Sequence, residues 1–252
     1  MLMQTITISD IRNEFIELYK KSKYVIDKSG VKTIEVVGAS FLADEETIFG
    51  DVNDDYVQRE LEWYNNQSLY VENIPGDTPA IWKQIASSKG KINSNYGYLI
   101  YNKGNYDQYT NVLNDLVANP NSRRAVMIYT RPTMHSDFNV DGMSDFICTN
   151  AVQYLIRDNK VDCIVQMRSN DVVFGYRNDY AWQKHVLHKL TNEINFFANQ
   201  QYSVGNIHWQ VGSLHVYERH FKFIDTVIEK RNKEKEAHVL AAKSLGDYGK
   251  EF

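Results

Sequence analysis

Apolar side chains recur along this chain at two spacings, and the change from one to the other predicts its helices and strands. In residues 9–23, Phe15 lies four positions after Ile11, and Leu18 and Tyr19 lie three and four positions after Phe15, as on one face of a helix, with Ser9 as the expected N-cap. Similar spacing predicts helices over residues 54–64, 105–117 and 179–198; the last is expected to be the longest, with Asp179 in its first turn and Phe197 in its apolar stripe. Another helix is expected after Lys222, and it runs into the charged stretch EKRNKEKEAH, which is typical of a solvated surface.

β-branched and aromatic residues concentrate in five stretches, which predict strands: VKTIEVVGASF, RRAVMIYT, NAVQYLIR, VDCIVQMR and NIHWQVGSLHVY. The third and fourth flank the polar turn DNK, which predicts a hairpin. No linker or internal repeat interrupts this order. We therefore expect residues 1–252 to form a single α/β (α+β) domain.

Composition narrows the class of protein. Hydrophobic residues make up 43% of the chain and charged residues 24%, as in globular proteins. The formal charge of −4 gives no basic surface for nucleic acid, although clustered arginines can still bind a single phosphate. The sequence has no export signal and no apolar run that could span a bilayer, so we expect a cytoplasmic protein that binds neither DNA nor membranes. Its two cysteines, Cys148 and Cys163, suit neither a disulfide framework nor a zinc site, and no metal is expected.

Cys148 comes directly before a predicted strand, where a nucleophilic thiol can face a pocket. A lone cysteine is more often a small buried apolar residue, and that alternative stays open. Arg168 lies on the strand expected to pair with the one after Cys148, and nearby positive charge favours the thiolate. Cys163 lies in mid-strand and has no such neighbour.

Two groups of donors suit a phosphate dianion, whose oxygens accept several charge-assisted hydrogen bonds. Arg123 and Arg124 follow the turn NPNS, and Arg168 is followed by Ser169 at a strand end. Surface ion pairs explain either group alone equally well.

Two carboxylates are further candidates. Glu60 lies beside the apolar stripe of its helix, where an unpaired carboxylate is costly unless it faces a wet pocket. The alternative for Glu60 is an exposed helix position, and the alternative for Asp179 is a carboxylate that stabilises a helix N-terminus.

Several longer motifs occur in a fixed order: GVKTIEVVGASF, QRELEWY, SSKGKINSNYG, NSRRAVMIYTRP, CTNAVQYLIRD and MRSNDVVFGYRNDYAWQK. Over residues 27–217 the chain resembles the thymidylate synthase family, in which a nucleophilic cysteine precedes a hairpin that ends in Arg-Ser-x-Asp, here RSND. Within that family it is most similar to the branch of tailed-phage enzymes that hydroxymethylate deoxycytidylate. The resemblance implies a mixed sheet flanked by helices, and a homodimer whose sheets pack back to back.

The resemblance also implies roles by position. Cys148 would add to C6 of the pyrimidine, Glu60 would organise water at the ring, and Asp179 would contact the base. The residues implied to bind the nucleotide, here dCMP, are Lys28, Arg123, Arg124, Arg168, Ser169, Asn170, Asp171, His215 and Tyr217. The residues implied to bind 5,10-methylenetetrahydrofolate are Trp82, Tyr96, Asp171 and Gly175. In the homodimer the adjacent pair of arginines would reach the partner subunit's phosphate site.

Three departures from the family pattern matter. Ile147 and Thr149 flank the cysteine where the synthases usually have proline and histidine. The stretch LGDYGKEF at the C-terminus has no clear equivalent of the aliphatic tail that closes over folate. Position 179 is an aspartate, whereas the methylating enzymes have an asparagine that matches uracil.

Aspartate at this position matches cytosine. The exocyclic amine of cytosine donates to a carboxyl oxygen and its N3 is an acceptor, so one proton shared between N3 and Asp179 completes a second hydrogen bond. Thiol addition at C6 moves electron density toward N3, where protonation stabilises the adduct. We therefore predict that Asp179 both selects the base and acts as an acid.

The carbon placed on C5 has two fates. It can be reduced to a methyl group, as in the synthases, or hydrated to a hydroxymethyl group with Glu60 holding the water. We predict that the carbon on C5 of dCMP is hydrated, which gives 5-hydroxymethyl-dCMP for modified phage DNA. The enzyme is expected to act in the cytoplasm of an infected bacterial cell, in association with other nucleotide-synthesis proteins. Methylation of a pyrimidine nucleotide, or a nucleotide-binding scaffold without catalysis, stays open. A zinc deaminase is excluded, because the sequence lacks His-x-Glu followed by Pro-Cys-x-x-Cys.

Overall fold

The computed structural model describes residues 5–28 and 30–247, within which eight α-helices and six strands form. The helices are α1 (Ile8–Lys20), α2 (Asp54–Asn65), α3 (Ala80–Ile85), α4 (Tyr96–Tyr101), α5 (Gln108–Ala118), α6 (Met134–Asp137), α7 (Gly175–Ala198) and α8 (Phe221–Asp247). The strands are β1 (Val25–Ile26), β2 (Lys32–Leu42), β3 (Val126–Ile128), β4 (Thr149–Arg157), β5 (Lys160–Asp171) and β6 (Ser203–Tyr217). Most of LGDYGKEF, on which the prediction about folate closure rests, lies outside the described residues.

All six strands belong to one mixed sheet, in the order β1-β2-β6-β5-β4-β3. Neighbouring strands run antiparallel except β5 and β6, which are parallel and are joined by a crossover through α7. The parallel pair sets Asp171 opposite His215 and Ser169 opposite Ser213. The mixed sheet with its helices confirms the predicted α/β fold.

The hairpin predicted at DNK is confirmed between β4 and β5. Its two loop residues, Asp158 and Asn159, have φ angles of 49° and 59°. A two-residue type I′ turn requires positive φ at both positions, and Asp and Asn tolerate it better than most residues. The local sequence therefore determines the register that places the end of β5 beside the start of β4.

The start of α1 differs from the prediction. Thr7, and not Ser9, is the N-cap: its hydroxyl accepts the N–H of Asp10, whose carboxylate accepts the N–H of Thr7 in return. Helix α5 begins at Gln108, three residues later than predicted. The predicted strand 123–130 is shorter in the structure, where β3 consists of Val126–Ile128 paired with β4.

Helix α7 begins at Gly175, four residues before the predicted start. The carboxylate of Asp171 accepts the N–H groups of Phe174 (2.8 Å) and Gly175 (3.2 Å), which starts the helix early. The prediction that Asp179 lies in the first turn is therefore wrong, since it lies in the second. Phe197 does not join the buried stripe, because it is 61% exposed, and α8 is longer than α7 within the described residues.

The core lies under one face of the sheet. Alternate side chains of β4 and β5 are fully or nearly fully buried there, and Cys163 is among them. From the helical side, Trp182 of α7 packs edge to face on Tyr64 of α2, with ring centroids 5.0 Å apart. Ile128 alternates with the buried Met127 and is exposed on the opposite face.

Gly97 allows α4 to approach α2 closely. A Cβ atom there would lie 1.8 Å from the carbonyl oxygen of Tyr64, so no other residue fits without moving the backbone. The close approach stacks Tyr96 on Tyr64, with centroids 5.4 Å apart and planes at 26°. This contact holds the Tyr96 hydroxyl close to the loop before β4 and to the second turn of α7.

Candidate active site

Cys148 and Arg168 are neighbours because their strands pair. The backbone N–H of Arg168 donates to the carbonyl of Cys148 at 2.9 Å, and its Nη2 lies 3.4 Å from the sulfur. The same guanidinium donates to the carbonyls of Phe146 (2.5 Å) and Ile147 (3.1 Å) and lies over the Phe146 ring. The arginine thus holds the chain on either side of the thiol as well as the thiol itself.

The thiol of Cys148 is partly buried. Burial raises its pKa to about 11; the charge of Arg168 opposes this rise, and the carboxyls of Asp179 and Asp145 add to it. The thiol is therefore protonated at neutral pH when no ligand is bound.

Asp145 fixes the loop that leads to the cysteine. Its carboxylate accepts the N–H groups of Asn93 (2.6 Å) and Ser94 (2.8 Å) and the Ser94 hydroxyl (2.6 Å). Burial raises the pKa of Asp145, and these hydrogen bonds offset part of that rise.

Glu60 faces inward from α2 and is 5% exposed, so the alternative of an exposed helix glutamate is wrong. The Tyr56 hydroxyl donates to its carboxyl at 2.6 Å, and Trp82 Nε1 donates to that hydroxyl at 2.8 Å. Burial raises the pKa of Glu60 to about 7, and hydrogen bonds from Tyr56, Trp82 and Tyr64 oppose the rise.

Asp179 lies between β5 and α4. Nδ2 of Asn170 donates to its Oδ2 at 2.7 Å, and the Tyr96 hydroxyl donates to the same carboxyl. Burial raises the pKa of Asp179 to about 7; nearby Glu60 raises it further, whereas the two hydrogen bonds lower it. Two carboxyls that each bind a proton near neutral pH therefore face the same region as the thiol.

Asp171 both caps α7 and faces His220, whose Nδ1 lies 3.9 Å from Asp171 Oδ1. Burial alone would raise the pKa of Asp171, but the nearby His220 ring and the hydrogen bonds from the N–H groups of Phe174 and Gly175 outweigh it, and the pKa is lowered. Asp171 is thus ionised at neutral pH, whereas Asp179, with its pKa raised to about 7, is only partly ionised there.

The remaining predicted residues fall into two sets. Ser169, His215 and Tyr217 lie on β5 and β6 at the same end of the sheet as Asp171. Lys28 is exposed in the loop between β1 and β2, which lies at this same end, because Ile26 pairs with Lys32 and Thr33 pairs with Tyr217. Within one chain the structure does not bring the other set, Arg123 and Arg124, to this end, and both are exposed elsewhere.

The adjacent arginines lie at the other end of β4. The Arg123 carbonyl accepts from Gln153, which is five residues along the chain from Cys148, or roughly 17 Å at strand spacing. Arg124 pairs with Asp115 at 3.0 Å, so one surface ion pair is present there.

Four side chains of this region were not among the predicted site residues: Tyr56, Tyr64, Thr149 and His220. Tyr56 precedes Glu60 by one helical turn, which is a signal the sequence contains. Thr149 donates to the Tyr96 hydroxyl at 3.0 Å and His220 reaches Asp171 from the segment after β6, and neither contact has a local sequence signal.

In the described part of the chain, no three His, Cys, Asp or Glu side chains lie close enough together to hold a metal ion. None of the helices described is both long and apolar enough to cross a membrane.

The fold is that of a thymidylate synthase. The crystal structure of thymidylate synthase from phage T4 superposes with a TM-score of 0.66, covering 84% of this chain and 77% of that one at 19% identity. A sequence model described as thymidylate synthase also matches residues 15–249. The chain therefore belongs to the thymidylate synthase family.

Two kinds of curated relative are similar to this chain. Deoxycytidylate 5-hydroxymethyltransferase of Enterobacteria phage T4 is 59% identical over 226 residues, which cover 89% of this chain and 92% of the relative, and the enzyme of phage T6 matches equally well. Thymidylate synthase of Francisella tularensis subsp. holarctica is 23% identical over 214 residues, covering 79% of this chain and 76% of the relative.

Proposed function

We propose that this chain is a deoxycytidylate 5-hydroxymethyltransferase that converts dCMP to 5-hydroxymethyl-dCMP. The observation that carries the proposal is the carboxyl of Asp179, which lies beside Cys148 and Glu60 and whose pKa is raised by burial to about 7. Such a carboxyl can share its proton with N3 of cytosine and accept from the exocyclic amine. The name of the phage relatives and their 59% identity support the same substrate.

Cys148 is the proposed nucleophile. The thiol proton passes to solvent water, and as the sulfur bonds to C6 the electrons of the C5–C6 double bond move toward N3, where Asp179 donates its proton. Arg168, 3.4 Å from the sulfur, stabilises the thiolate against the effect of burial. C5 of the ring then becomes nucleophilic.

5,10-Methylenetetrahydrofolate supplies the one-carbon unit, and the described residues fit it in two respects. Oδ1 of Asp171 is buried and has no hydrogen-bond partner in the described part of the chain, so it can accept from an N–H group of the bound pterin. The N–H of Gly175 donates to the other oxygen of this carboxylate, Oδ2, at 3.2 Å, which holds the start of α7 beside Asp171, and we assign Gly175 to the same site. We assign Trp82 and Tyr96 to the aromatic part of the same site.

Glu60 is assigned to the water that hydrates the exocyclic carbon on C5. Its carboxyl lies in a chain of hydrogen bonds from Trp82 through Tyr56, which fixes its position. An ionised carboxylate can polarise the attacking O–H, so hydration should rise as Glu60 deprotonates near pH 7. Retention of the normal hydration rate by Glu60→Gln, with C5 proton exchange unchanged, would count against this role.

The phosphate site is proposed to combine two subunits. Arg168 and Ser169 lie beside the nucleophile, whereas Arg123 and Arg124 are exposed too far along β4 to reach it within one chain. In a homodimer with sheets back to back, Arg123 and Arg124 would reach the partner subunit's phosphate, with Lys28, His215 and Tyr217 completing the nucleotide site. We propose that the enzyme acts in the infected bacterial cell to supply modified nucleotides for phage DNA.

The decisive experiment is mass analysis of the products after incubation with 5,10-methylenetetrahydrofolate and either dCMP or dUMP. Hydroxymethyl-dCMP together with released tetrahydrofolate, and little reaction of dUMP, is the expected result. A methylated product would mean that the C5 carbon is reduced instead of hydrated. Cys148→Ala should abolish turnover, and Cys163→Ala, which alters a buried cysteine of the core, is its matched control.

A further inference from the structure

The end of β5 and the second turn of α7 meet through one short hydrogen bond. Nδ2 of Asn170 donates to Oδ2 of Asp179 at 2.7 Å, and Asn170 is only 3% exposed. The other atom of this amide, Oδ1, is buried and has no hydrogen-bond partner among the described residues. The Asn170 amide therefore donates to Asp179, while no donor among the described residues reaches its Oδ1.

Gly175 keeps space for this bond. A Cβ at Gly175 would lie 3.1 Å from Asn170 Nδ2 and 3.9 Å from Asp179 Oδ2. The φ angle of Gly175 is not in the left-handed region, so the backbone conformation does not require glycine. Glycine is required at position 175 because a side chain there would crowd the Asn170 amide and the Asp179 carboxyl.

A protonated carboxyl can match either pyrimidine, depending on which oxygen bears the proton. For cytosine, the hydroxyl must face N3 and the carbonyl oxygen must accept from the exocyclic amine. For uracil, the carbonyl oxygen must face the N3 proton and the hydroxyl must face O4. A carboxyl whose proton can move freely between its oxygens would discriminate poorly between the two bases.

We infer that Asn170 is a positioning residue that fixes this choice: its N–H occupies Oδ2 of Asp179, so the proton lies on Oδ1 and Oδ2 is left to accept from the exocyclic amine of cytosine. The inference rests on the proposed function, in which Asp179 contacts the base. Asn170 thus sets specificity for cytosine through Asp179 and without chemistry of its own.

Other groups around Asp179 also affect its protonation. They are Glu60 and Tyr64 on α2, Tyr96 on α4, Cys148 before β4, and Asp171 on β5. Glu60 and Asp171 favour the protonated form and the Tyr96 hydroxyl favours the ionised form. All of them are unchanged when Asn170 alone is substituted, so a difference between variants reports on the amide.

The test compares wild type with Asn170→Leu, whose side chain has nearly the same shape and no donor. Removing the amide also removes its buried unpartnered oxygen, so folding should be preserved. The ¹³C NMR signal of the Asp179 carboxyl is titrated in the free protein. We expect its pKa to rise by about one unit, a tenfold change in the protonation equilibrium, because the ionised form loses a donor.

The second readout is the ratio of dissociation constants for dUMP and dCMP, which needs no turnover. We expect this ratio to fall at least about tenfold in Asn170→Leu, because the proton of the Asp179 carboxyl can then occupy either Oδ1 or Oδ2. Gly175→Ala should move both readouts in the same direction by crowding the amide. Asn206→Leu, at an exposed position near the far end of β6, should leave both unchanged.

An unchanged Asp179 pKa and an unchanged binding ratio in folded Asn170→Leu would overturn the inference. If Asn170→Leu does not fold, the same null result in Gly175→Ala would overturn it. Failure of the proposed function is distinguishable, because wild-type protein would then fail to hydroxymethylate dCMP whatever the variants do.

Discussion

Nη2 of Arg168 lies 3.4 Å from the sulfur of Cys148, and the same guanidinium binds the carbonyls of the two residues that precede the cysteine. This contact opposes the burial that raises the pKa of the thiol to about 11. The arginine is thus a source of thiolate stabilisation in the free protein, in addition to any contact with a phosphate.

Arg168→Met should raise the pKa of Cys148 further. Because the reactive species is the thiolate, alkylation by iodoacetamide at pH 8 should slow by about tenfold for each unit of that rise. The measurement is the pH dependence of the alkylation rate. Arg157→Met, at an exposed position on the other end of the same hairpin, is the control. Equal rates for Arg168→Met and wild type would show that the contact does not activate the thiol.

Asp179→Asn should change the preferred nucleotide from dCMP to dUMP. An amide offers an acceptor to the N3 proton of uracil and a donor to O4, but it cannot protonate N3 of cytosine. The activity toward dCMP, expressed as kcat/KM, should fall by about 10⁴ or more, and dUMP should become the better ligand. Steady-state kinetics with both nucleotides test this. A variant that still prefers dCMP would refute the role of the carboxyl.

Glu60→Gln should make the free protein more stable at alkaline pH. Burial raises the pKa of Glu60 from 4.5 to about 7, so the folded state binds the proton more tightly than the unfolded state. Wild type therefore loses stability as the pH rises through this interval, and glutamine removes that loss. We expect a gain of up to about 3 kcal/mol at pH 8 and little difference at pH 5.

Urea unfolding at the two pH values measures this effect. Glu62→Gln is the matched control, because Glu62 is exposed on the same helix. If Glu60→Gln and Glu62→Gln have the same stability at pH 8, the buried carboxyl is not titrating as described.

Mixing two inactive variants should restore activity if the phosphate site spans two subunits. Cys148→Ser lacks the nucleophile, and the double variant Arg123→Ala, Arg124→Ala lacks the donated arginines. Random reassociation gives half hybrid dimers, each with one intact site, so about a quarter of wild-type activity should return. Mixtures that stay inactive while exchange of subunits is shown by mass spectrometry would place these arginines outside the site.

Much of the fold follows from local sequence. The β4–β5 hairpin follows from Asp158 and Asn159, which accept the positive φ angles of its turn. The amphipathic spacing of α2 predicts the burial of Val57 and Tyr64 but not that of Glu60. The start of α7 was less predictable, because it depends on a carboxylate four residues earlier that also faces His220.

The sequence by itself determined the family, the order of the elements and the identities of Cys148, Glu60 and Asp179, because residue order and periodicity are local properties of the chain. Only the tertiary structure decided the protonation states of these three groups at neutral pH. Cys148 and the two carboxyls have raised pKa values because helices and strands distant in sequence exclude water around them. The hydrogen bond from Asn170 to Asp179 likewise exists only because the end of β5 and the second turn of α7 meet.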